Sequence, residues 1–257
     1  MGMFDLGGKV AVITGSSRGI GRAIAEALAS QGARVVISSR KLDACAVVAA
    51  EINVRHGEGK ALAVAANISS KDSLRALVDQ ARASFGRIDI LVCNAASNPY
   101  YGPMAGISDE QFRKVFENNV LANHWLIHMV APEMKERRNG AILITSSVGG
   151  LMGSANIGAY NVSKAADLQL VRNLAIEFGE FNVRINALAP GVIRTDFARA
   201  MYENPDAEAA LRHATPLKRI GEPDDVAGAA VFFVSDASKH VTGQYLAIDG
   251  GITINGP

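Results

Sequence analysis

Tyr160 and Lys164 are the residues of this 257-residue chain whose types and spacing most clearly allow chemistry. They open a segment, running to Phe178, in which apolar residues recur at helical spacing: Ala165, Leu168, Val171, Leu174, Ala175 and Phe178. Residues one helical turn apart share a face, so the phenol and the ammonium can reach one cavity. A nearby positive charge favours phenolate. We therefore expect Lys164 to lower the pKa of Tyr160, and Tyr160 to exchange a proton with a substrate oxygen.

A glycine-rich turn near the amino terminus predicts a phosphate-binding loop. The β-branched run from Lys9 to Thr14 predicts a strand, and the pattern from Ile20 to Ala29 predicts a helix after it. Glycines let the backbone approach a pyrophosphate, which the unpaired N–H groups of the new helix can bind. The spacing is G-x-x-x-G-x-G, not the common G-x-G-x-x-G. We assign cofactor contacts to Gly15, Ser17, Arg18, Gly19, Ile20 and Gly21.

The end of the second predicted strand, Arg34 to Ser39, distinguishes between two cofactors. An acidic residue there would bond the ribose 2′-hydroxyl of NAD, and the sequence has none at that point. Arg40, together with Arg18, can instead pair with the 2′-phosphate of NADP. We therefore predict NADP(H), bound through Ser39 and Arg40. The alternative is that Arg40 and Lys41 only begin a solvated helix.

Two further predicted strands are followed by asparagine. Asn67 follows the strand Ala61 to Ala66 and is placed to bond the adenine edge, although it fits an ordinary turn equally well. Asn94 follows the continuous apolar strand Ile88 to Cys93. Open α/β sheets bind ligands at the carboxyl ends of their strands, so we expect Asn94 to brace the cofactor strand ends. The contacts assigned here are Asn67, Ile68, Asn94 and Ala95.

Asn119 and Ser147 are two further candidates. Asn119 lies in the middle of a helical stretch from Asp109 to Lys135, and asparagine inside a helix usually serves a function or marks a kink. Ser147 follows the predicted strand Ala141 to Thr145, where its hydroxyl and that of Tyr160 can meet one carbonyl group. A Ser-His-Asp hydrolase is disfavoured, because Ser147 lacks G-x-S-x-G surroundings and a suitably placed histidine downstream.

The last part of the chain is predicted to cover the ligands. A strand from Val183 to Ala189 leads into a turn whose assigned cofactor contacts are Pro190, Gly191, Ile193 and Thr195, with Thr195 bonding the nicotinamide carboxamide. Residues 192–216 lack a strand pattern, which suits a mobile flap over the substrate. Tyr100 and Tyr101 help to wall the same pocket. A helix from Gly221 to Val234 and a strand from Gln244 to Ile248 end the chain.

Composition limits the classes of partner. With 49% hydrophobic and 20% charged residues, the chain can form one globular domain. A net charge of +1 without charged blocks argues against nucleic-acid or membrane surfaces, and no apolar run is long enough to cross a bilayer. Cys45 and Cys93 fit reduced packing residues, so we expect a cytoplasmic protein. Nothing pairs His124 or His128 with a second metal ligand, and we predict no metal site.

These motifs, in this order and spacing, resemble those of the short-chain dehydrogenase/reductase family over nearly the whole chain. They are Thr14-Gly-x-x-x-Gly-x-Gly21, Asn94-Ala95, Asn119, Ser147, Tyr160-x-x-x-Lys164 and Pro190-Gly191. Within the family the chain looks most like NADPH-dependent carbonyl reductases. That similarity rests on Ser38-Ser39-Arg40-Lys41, on Asn94-Ala95-Ala96-Ser97-Asn98-Pro99 and on Tyr160-Asn161-Val162-Ser163-Lys164.

The fold follows from pattern and resemblance together. Strands alternate with helices from end to end, which is typical of an α/β fold with a doubly wound parallel sheet. The resemblance implies a Rossmann-type sheet of seven strands in the order 3-2-1-4-5-6-7, formed by a single domain over residues 1–257. It also implies a homotetramer in which the long helices around Asn119 and Tyr160 pack between subunits.

The resemblance also implies an activity. A hydride passes between NADP(H) and a small carbonyl or alcohol substrate while Tyr160 gives or takes the proton. Lys164 would lower the phenol pKa and hold the nicotinamide ribose, Ser147 would position the carbonyl, and Asn119 would bind a water in the proton relay. Two alternatives stay open, a 3-oxoacyl-carrier-protein reductase and a non-catalytic NADP-binding regulator. Enoyl reductases of related fold space their Tyr and Lys differently.

Two positions depart from the family pattern. The family usually has glycine where this chain has Ala96, so the loop after that strand must avoid a positive φ there. The family also usually has Asp where Asn67 stands. That difference affects the adenine contact but not the chemistry.

Overall fold

A computed structural model describes residues 2–255, and residues 1, 256 and 257 of the predicted domain lie outside the described residues. Within the described range, seven parallel strands form one sheet in the order β3-β2-β1-β4-β5-β6-β7. They are β1 (Val10–Thr14), β2 (Arg34–Ser39), β3 (Ala61–Ala65), β4 (Ile90–Cys93), β5 (Gly140–Thr145), β6 (Val183–Pro190) and β7 (Tyr245–Ile248). The predicted doubly wound sheet and its strand order are confirmed.

Helices cover both faces of this sheet. They are α1 (Gly19–Ser30), α2 (Leu42–His56), α3 (Lys71–Phe85), α4 (Asp109–Phe116), α5 (Ala122–Glu136), α6 (Gly158–Gly179), α7 (Arg199–Tyr202), α8 (Pro205–Ala214) and α9 (Pro223–Val234). Successive strand residues point to opposite faces. Val12 of β1 therefore packs with α3, α5 and α6, whereas Ile13 packs with α1, α2 and α9. Burial on both faces explains why the central strands are continuous apolar runs.

The strand register places all the predicted site segments at one edge of the sheet. Thr14 pairs with Ser38, Cys93 with Ile144, and Thr145 with Leu188, so neighbouring strands end at the same level. The segments that follow these strands are the glycine turn, Arg40, Asn94, Ser147 and the turn after Pro190. Because the strands are parallel, their carboxyl ends open into one crevice.

The predicted helix from Asp109 to Lys135 is interrupted at its asparagines. A π-helical segment, Glu117–Leu121, separates α4 from α5. Asn119 and Asn123 explain the interruption, because Asn123 Nδ2 donates to the Asn119 carbonyl at 2.6 Å. Such segments often occur at functional sites.

The segment predicted as an irregular flap, residues 192–216, contains two helices, α7 and α8. Asn204 caps α8 by accepting the Asp206 N–H at 2.8 Å, and Pro205 occupies the first helical position. Cap and proline are ordinary helix-start signals, which the mixed composition of the segment hides.

The loop after β4 accommodates the alanine that replaces the family's usual glycine. Among the described residues, a positive φ outside glycine occurs at Arg138, Asn182 and Lys218, and not at Ala96. The expectation that this loop avoids a left-handed conformation at Ala96 is therefore met.

Candidate active site

The glycine turn between β1 and α1 leaves open backbone that fits a diphosphate. Gly15 and Gly19 have φ values of 66° and 57°, a left-handed conformation that favours glycine. A Cβ atom at Gly21 would overlap the Gly15 carbonyl oxygen and Asn94 Nδ2. Among the described residues no side chain caps α1 at Arg18, so its first N–H groups stay available to an anion. These observations fit a dinucleotide cofactor.

Three neighbouring residues of this turn have different surroundings. Ser16 is buried, donates to Ile13 O at 2.7 Å and accepts the Ser38 N–H at 2.8 Å, so it ties the turn to β1 and β2. Ser17, a predicted cofactor contact, is partly exposed in the turn. Ile20 packs against the core beneath α1, so any contact there falls to its backbone.

Asn94 holds the glycine turn against the sheet. Its Nδ2 donates to Thr14 O at 2.9 Å and to Gly15 O at 3.2 Å. Thr14 Oγ1 in turn accepts the N–H groups of Asn94 and Ala95, each at 3.1 Å. Asn94 therefore braces the ends of β1 and β4, the role that the sequence predicts, and its amide donors serve the backbone.

The predicted adenosine side of the crevice contains one arginine and one asparagine. Arg40 is exposed at the end of β2 beside the partly exposed Ser39, and within residues 2–255 no carboxylate pairs with it. Asn67 Oδ1 accepts the Ser69 N–H at 3.1 Å, so this side chain shapes a turn. Ile68 packs against the core. The ordinary turn alternative for Asn67 thus has a direct contact in its support.

The loop after β6 lies directly against the glycine turn. A Cβ atom at Gly19 would lie 3.1 Å from Thr195 Cγ2. The sequence predicts that Arg18 acts beside Arg40 on a phosphate, but Arg18 Nη1 lies 2.8 Å from Asp196 Oδ2. No pattern along the chain predicts the contact with Asp196, because Arg18 and Asp196 are far apart in sequence.

The turn that begins this loop depends on close packing. A Cβ atom at Gly191, after Pro190, would lie 2.9 Å from Asp249 Cα, so glycine is needed for space. Ile193 is buried and bridges to Gly221. Any cofactor contact at Ile193 therefore comes from its backbone. The Thr195 hydroxyl donates to Ile193 O at 3.3 Å.

Two glycines bring Ser147 to Tyr160. The turn Val148–Gly150 lies on α6, where a Cβ atom at Gly149 would overlap Asn161 Oδ1. One at Gly150 would lie 2.8 Å from the carbonyl carbon of Lys164. Ser146 Oγ also donates to Lys164 O at 2.8 Å. The end of β5 is therefore fixed against the first turn and a half of α6.

Tyr160 and Lys164 lie on the same side of α6. Lys164 Nζ is 5.6 Å from the centre of the Tyr160 ring. The ammonium donates to Thr145 O at 2.8 Å and to Asp167 Oδ2 at 3.1 Å, and Lys164 is only 2% exposed. An ammonium and a phenol on one face of a helix, one turn apart, is the arrangement that the sequence predicts, and the burial of Lys164 is an addition from the structure.

The pKa of Tyr160 differs from the sequence prediction in its net direction. Burial raises the pKa of the phenol, and the Lys164 ammonium and the Ser147 hydroxyl lower it without cancelling that rise. The prediction is right about the effect of Lys164 but wrong about the sum, because the helical spacing says nothing about burial. Burial also lowers the pKa of Lys164, but Asp167 and Tyr160 more than offset this, so the ammonium stays charged.

The side-chain amide and the backbone carbonyl of Asn119 are all hydrogen-bonded to other protein groups. Its Oδ1 accepts the Ser97 N–H at 2.8 Å, and its Nδ2 donates to Ser97 O and Ser163 Oγ at 3.1 and 3.0 Å. Its carbonyl accepts from Asn123. Asn119 thus ties the loop after β4 to α6. Its backbone carbonyl, which could hold a relay water, already accepts a hydrogen bond from the Asn123 side chain.

The sequence reasoning missed two buried polar residues, Asn123 and Asp167. Asp167 Oδ1 accepts from Asn123 Nδ2 at 3.0 Å while its Oδ2 accepts from Lys164. A signal was present in the pattern. Asp167 falls within the apolar stripe of α6, three positions after Lys164 and directly before Leu168, and a carboxylate in such a stripe needs a partner.

Apolar side chains surround the Tyr160 hydroxyl side of the crevice. The Phe197 ring centre lies 5.8 Å from that of Tyr160. Met104 lies against Gly158, at the start of α6, and the Met152 carbonyl accepts from Asn161. The large apolar residues exposed along this rim are Tyr101, Met104, Leu151, Met152 and Phe197. The predicted pocket residue Tyr100 bonds the Pro103 carbonyl at 3.0 Å.

The site so assembled is that of an oxidoreductase with a dinucleotide cofactor, and comparison with known proteins supports this class. A family model described as Enoyl-(Acyl carrier protein) reductase matches residues 15–253. The chain is 41% identical over 249 residues to 7alpha-hydroxysteroid dehydrogenase of Escherichia coli strain K12, covering 96% of this chain and 94% of that protein. It is 39% identical over 247 residues to Dehydrogenase/reductase SDR family member 4 of Bos taurus, covering 96% and 88%.

Solved structures agree. A 7α-hydroxysteroid dehydrogenase complexed with NADH and 7-oxo glycochenodeoxycholic acid superposes with a TM-score of 0.92 at 39% identity, covering 97% of this chain and 96% of that one. A gluconate 5-dehydrogenase from Burkholderia cenocepacia, in complex with NADP and tartrate, gives 0.93 at 31% identity and 98% coverage of both chains. The chain belongs to the short-chain dehydrogenase/reductase family. It is an oxidoreductase that acts on carbonyl or alcohol groups with a nicotinamide cofactor.

Membrane-spanning helices and clusters of metal ligands are both absent from the described residues. No helix within residues 2–255 has the length and apolar character needed to cross a bilayer. In the same part of the chain, no three His, Cys, Asp or Glu side chains converge as a metal site requires. Cys45 and Cys93 are buried and unpaired with each other.

Proposed function

We propose that the protein is an NADP(H)-dependent carbonyl reductase or secondary-alcohol dehydrogenase in which Tyr160 is the general acid and base. The observation that carries the proposal is the buried Lys164 ammonium 5.6 Å from the Tyr160 ring, beside Ser147 and across the crevice from an open glycine turn. The family assignment supports carbonyl chemistry, and the chain's own residues support the roles that follow.

Ser147 and Tyr160 have different proposed roles at the carbon–oxygen bond of the substrate. The bound nicotinamide supplies or accepts a hydride at the substrate carbon. The Ser147 hydroxyl donates to the substrate oxygen and holds it beside the Tyr160 hydroxyl. Tyr160 protonates that oxygen during reduction and removes the proton during oxidation. Because burial raises the phenol pKa, the neutral, proton-donating form dominates near pH 7, which favours reduction there and oxidation at higher pH.

The proposed cofactor is NADP(H). The backbone of Gly15, Gly19 and Gly21 would hold the diphosphate, and Asn94 keeps that backbone in place. The exposed guanidinium of Arg40 would pair with the 2′-phosphate, since it has no carboxylate partner among the described residues. Similar proteins bind either NADH or NADP, so the proposal depends on the residues of this chain.

The proposed substrate is an apolar ketone or the corresponding secondary alcohol. The rim around Tyr160 offers large apolar side chains, including Phe197, Met104 and Met152. Two relatives are named for steroid and gluconate substrates, and an apolar rim fits the former chemistry better than a polyol.

The test is NADPH oxidation with a panel of apolar ketones, a keto-gluconate, a 3-oxoacyl thioester and an enoyl thioester. We expect turnover with the apolar ketones. Tyr160→Phe should reduce kcat about 1,000-fold, because the proton donor is lost, and should leave NADPH binding within about twofold. Tyr245→Phe is the matched control, since it removes a hydroxyl from an exposed tyrosine at the start of β7, the end of the strand opposite the crevice.

Each other outcome identifies an alternative. Turnover confined to the 3-oxoacyl thioester would indicate a carrier-protein reductase. Turnover confined to the enoyl thioester would follow the description of the family model and contradict carbonyl chemistry. NADPH binding without turnover of any substrate would indicate a regulatory protein. Full activity in Tyr160→Phe would refute the assigned proton donor.

The proposed assembly is a homotetramer in a reducing compartment, the cytoplasm. Two separate apolar surfaces support the tetramer. One is a groove of about 480 Å³ lined by Phe116, Val120, Leu121 and Leu170, with charged and histidine side chains around it. The other is the β7 edge, where Tyr245 and Leu246 are exposed. Two different apolar patches on one chain are what a dimer of dimers requires, because each kind of interface uses its own patch. The buried thiols of Cys45 and Cys93 support the compartment.

A further inference from the structure

A buried carboxylate lies directly behind the proposed catalytic lysine. Asp167 is 0% exposed, and its Oδ2 accepts a hydrogen bond of 3.1 Å from Lys164 Nζ. Among the described residues, the other acceptor of that ammonium is Thr145 O at 2.8 Å. Lys164 and Asp167 are therefore a buried ion pair on one face of α6, and the ammonium nearest Tyr160 is not an isolated charge.

The carboxylate is fixed from the opposite side by α5. Asn123 Nδ2 donates to Asp167 Oδ1 at 3.0 Å and to Asn119 O at 2.6 Å. Asn119 belongs to the π-helical segment. The Asn123 amide therefore contacts both that segment and the ion pair. Burial raises the pKa of Asp167 on balance, and the Lys164 ammonium and the Asn123 amide, which donate to its two oxygens, oppose that rise in favour of the ionised form.

Within residues 2–255, no further charged side chain forms an ion pair with Lys164 or Asp167. From β4, Cys93 faces the pair of Lys164 and Asp167, but burial raises the pKa of that thiol and keeps it neutral. From β5 it meets a carbonyl oxygen, and from α5 the Asn123 amide. The remaining titratable group is Tyr160 itself, on which Lys164 and Asp167 act in opposite directions. The electrostatic effect on the phenol is therefore that of a pair, which falls off faster with distance than that of a single charge.

We propose that Asp167 is a positioning residue for the reaction: it anchors the Lys164 ammonium and partly cancels the charge that this ammonium presents to Tyr160. The inference rests on the proposed roles of Tyr160 and Lys164. It means that this enzyme keeps its phenol less acidic than an unpaired lysine would make it. Asp167 thereby biases the site toward proton donation, the step that carbonyl reduction needs.

The test is the pH dependence of kcat/KM for alcohol oxidation, which rises as Tyr160 ionises. Asp167→Asn removes the negative charge and keeps the side-chain size. The rise should move to lower pH by roughly one unit, because Lys164 then acts on the phenol unopposed. Glu177→Gln is the matched control. It removes the same charge from an exposed position of α6, and its profile should coincide with that of the native protein.

Several outcomes would overturn the inference. An unchanged profile in Asp167→Asn would show that the carboxylate does not act on Tyr160. A move to higher pH would show that its main effect is to keep Lys164 charged. Lower activity at every pH with an unmoved rise would indicate a structural role only. If Asp167→Asn does not fold, Asp167→Leu replaces the carboxylate with an apolar group of similar size and should move the profile in the same direction.

Failure of the inference is distinguishable from failure of the proposed function. If the native protein oxidises the alcohol and Tyr160→Phe does not, the function holds whatever Asp167→Asn does. If Tyr160→Phe retains the native pH profile, the function fails first and the Asp167 variants have no bearing on it.

Discussion

At the scale of single residues, two arginines near the glycine turn differ in their partners. Arg18 is 70% exposed in its side chain but pairs with Asp196, an exposed ion pair of small energetic value. Arg40 has no such partner among the described residues. A guanidinium without a carboxylate is the better candidate for a phosphate, because binding there displaces only water.

Arg40→Asp should therefore exchange the cofactor preference. Losing an Arg–phosphate pair costs about 1.5 to 3 kcal/mol, or about 10- to 100-fold in kcat/KM for NADPH. The new carboxylate can accept from the ribose 2′-hydroxyl, so kcat/KM for NADH should rise. Steady-state kinetics with both cofactors measure the ratio, and Arg75→Asp, the same change at an exposed position of α3, serves as control. An unaltered ratio in Arg40→Asp would contradict the NADP assignment.

Residue-scale chemistry was predictable where it depends on spacing along one element. The side-by-side placement of Tyr160 and Lys164 follows from helical geometry alone. The net rise in the pKa of Tyr160 was not predictable, because it depends on the burial of the phenol in the folded chain, which spacing along α6 does not show. Asn123 and Asp167 come from different helices, and no pattern within either helix shows that they meet.

At the scale of elements, the turn after β5 controls the distance between Ser147 and Tyr160. Gly149 and Gly150 have no room for a side chain, so the turn rests on the backbone of α6. By contrast, a Cβ atom at Gly153 would meet nothing within 4 Å, and its φ is not positive. Gly150 and Gly153 lie three positions apart, and they differ in what an added side chain would meet.

Gly150→Ala should separate the turn from α6. The added Cβ would lie 2.8 Å from the Lys164 carbonyl carbon, so the turn must move and carry Ser147 away from the phenol. We expect the free energy of unfolding in urea to fall by about 2 kcal/mol and kcat to fall with it. Gly153→Ala should change the free energy of unfolding by less than about 0.5 kcal/mol and leave kcat unchanged. Equal effects of the two changes would contradict this account of the turn.

Element boundaries were predictable wherever a strand or helix has a regular apolar pattern, and the exceptions have local causes. β4 begins at Ile90 rather than Ile88, and the Asp89 carboxylate accepts the Val10 N–H just before that start. α8 was missed because its start depends on the Asn204 cap and Pro205 rather than on periodicity, and α7, with 4 residues, is too short to show a period. Helices under a crevice bury few apolar residues, which leaves little pattern to find.

At the scale of the whole molecule, the sheet order was predictable from the family resemblance and the alternation of elements. The apolar surfaces that a single chain leaves exposed were not predictable. An apolar residue in a helical pattern can face the core or the surface. In the folded chain Leu121 is 39% exposed, whereas Leu126, five positions later in the same helical stretch, is buried. Two of the exposed apolar surfaces are the groove beside the π-helical segment and the β7 edge.

The proposed tetramer makes this arrangement testable by light scattering, with a native mass of four times 27.0 kDa expected. Leu121→Asp places a charge in the apolar groove and should leave dimers joined through β7. Leu246→Asp should leave dimers joined through the groove, because each variant spares one interface. The double variant should be a monomer. Val54→Asp, at a residue that is 87% exposed on α2, should remain a tetramer. A native protein that is monomeric at micromolar concentration would contradict the assembly, and a Leu121→Asp tetramer would contradict the groove as one of its interfaces.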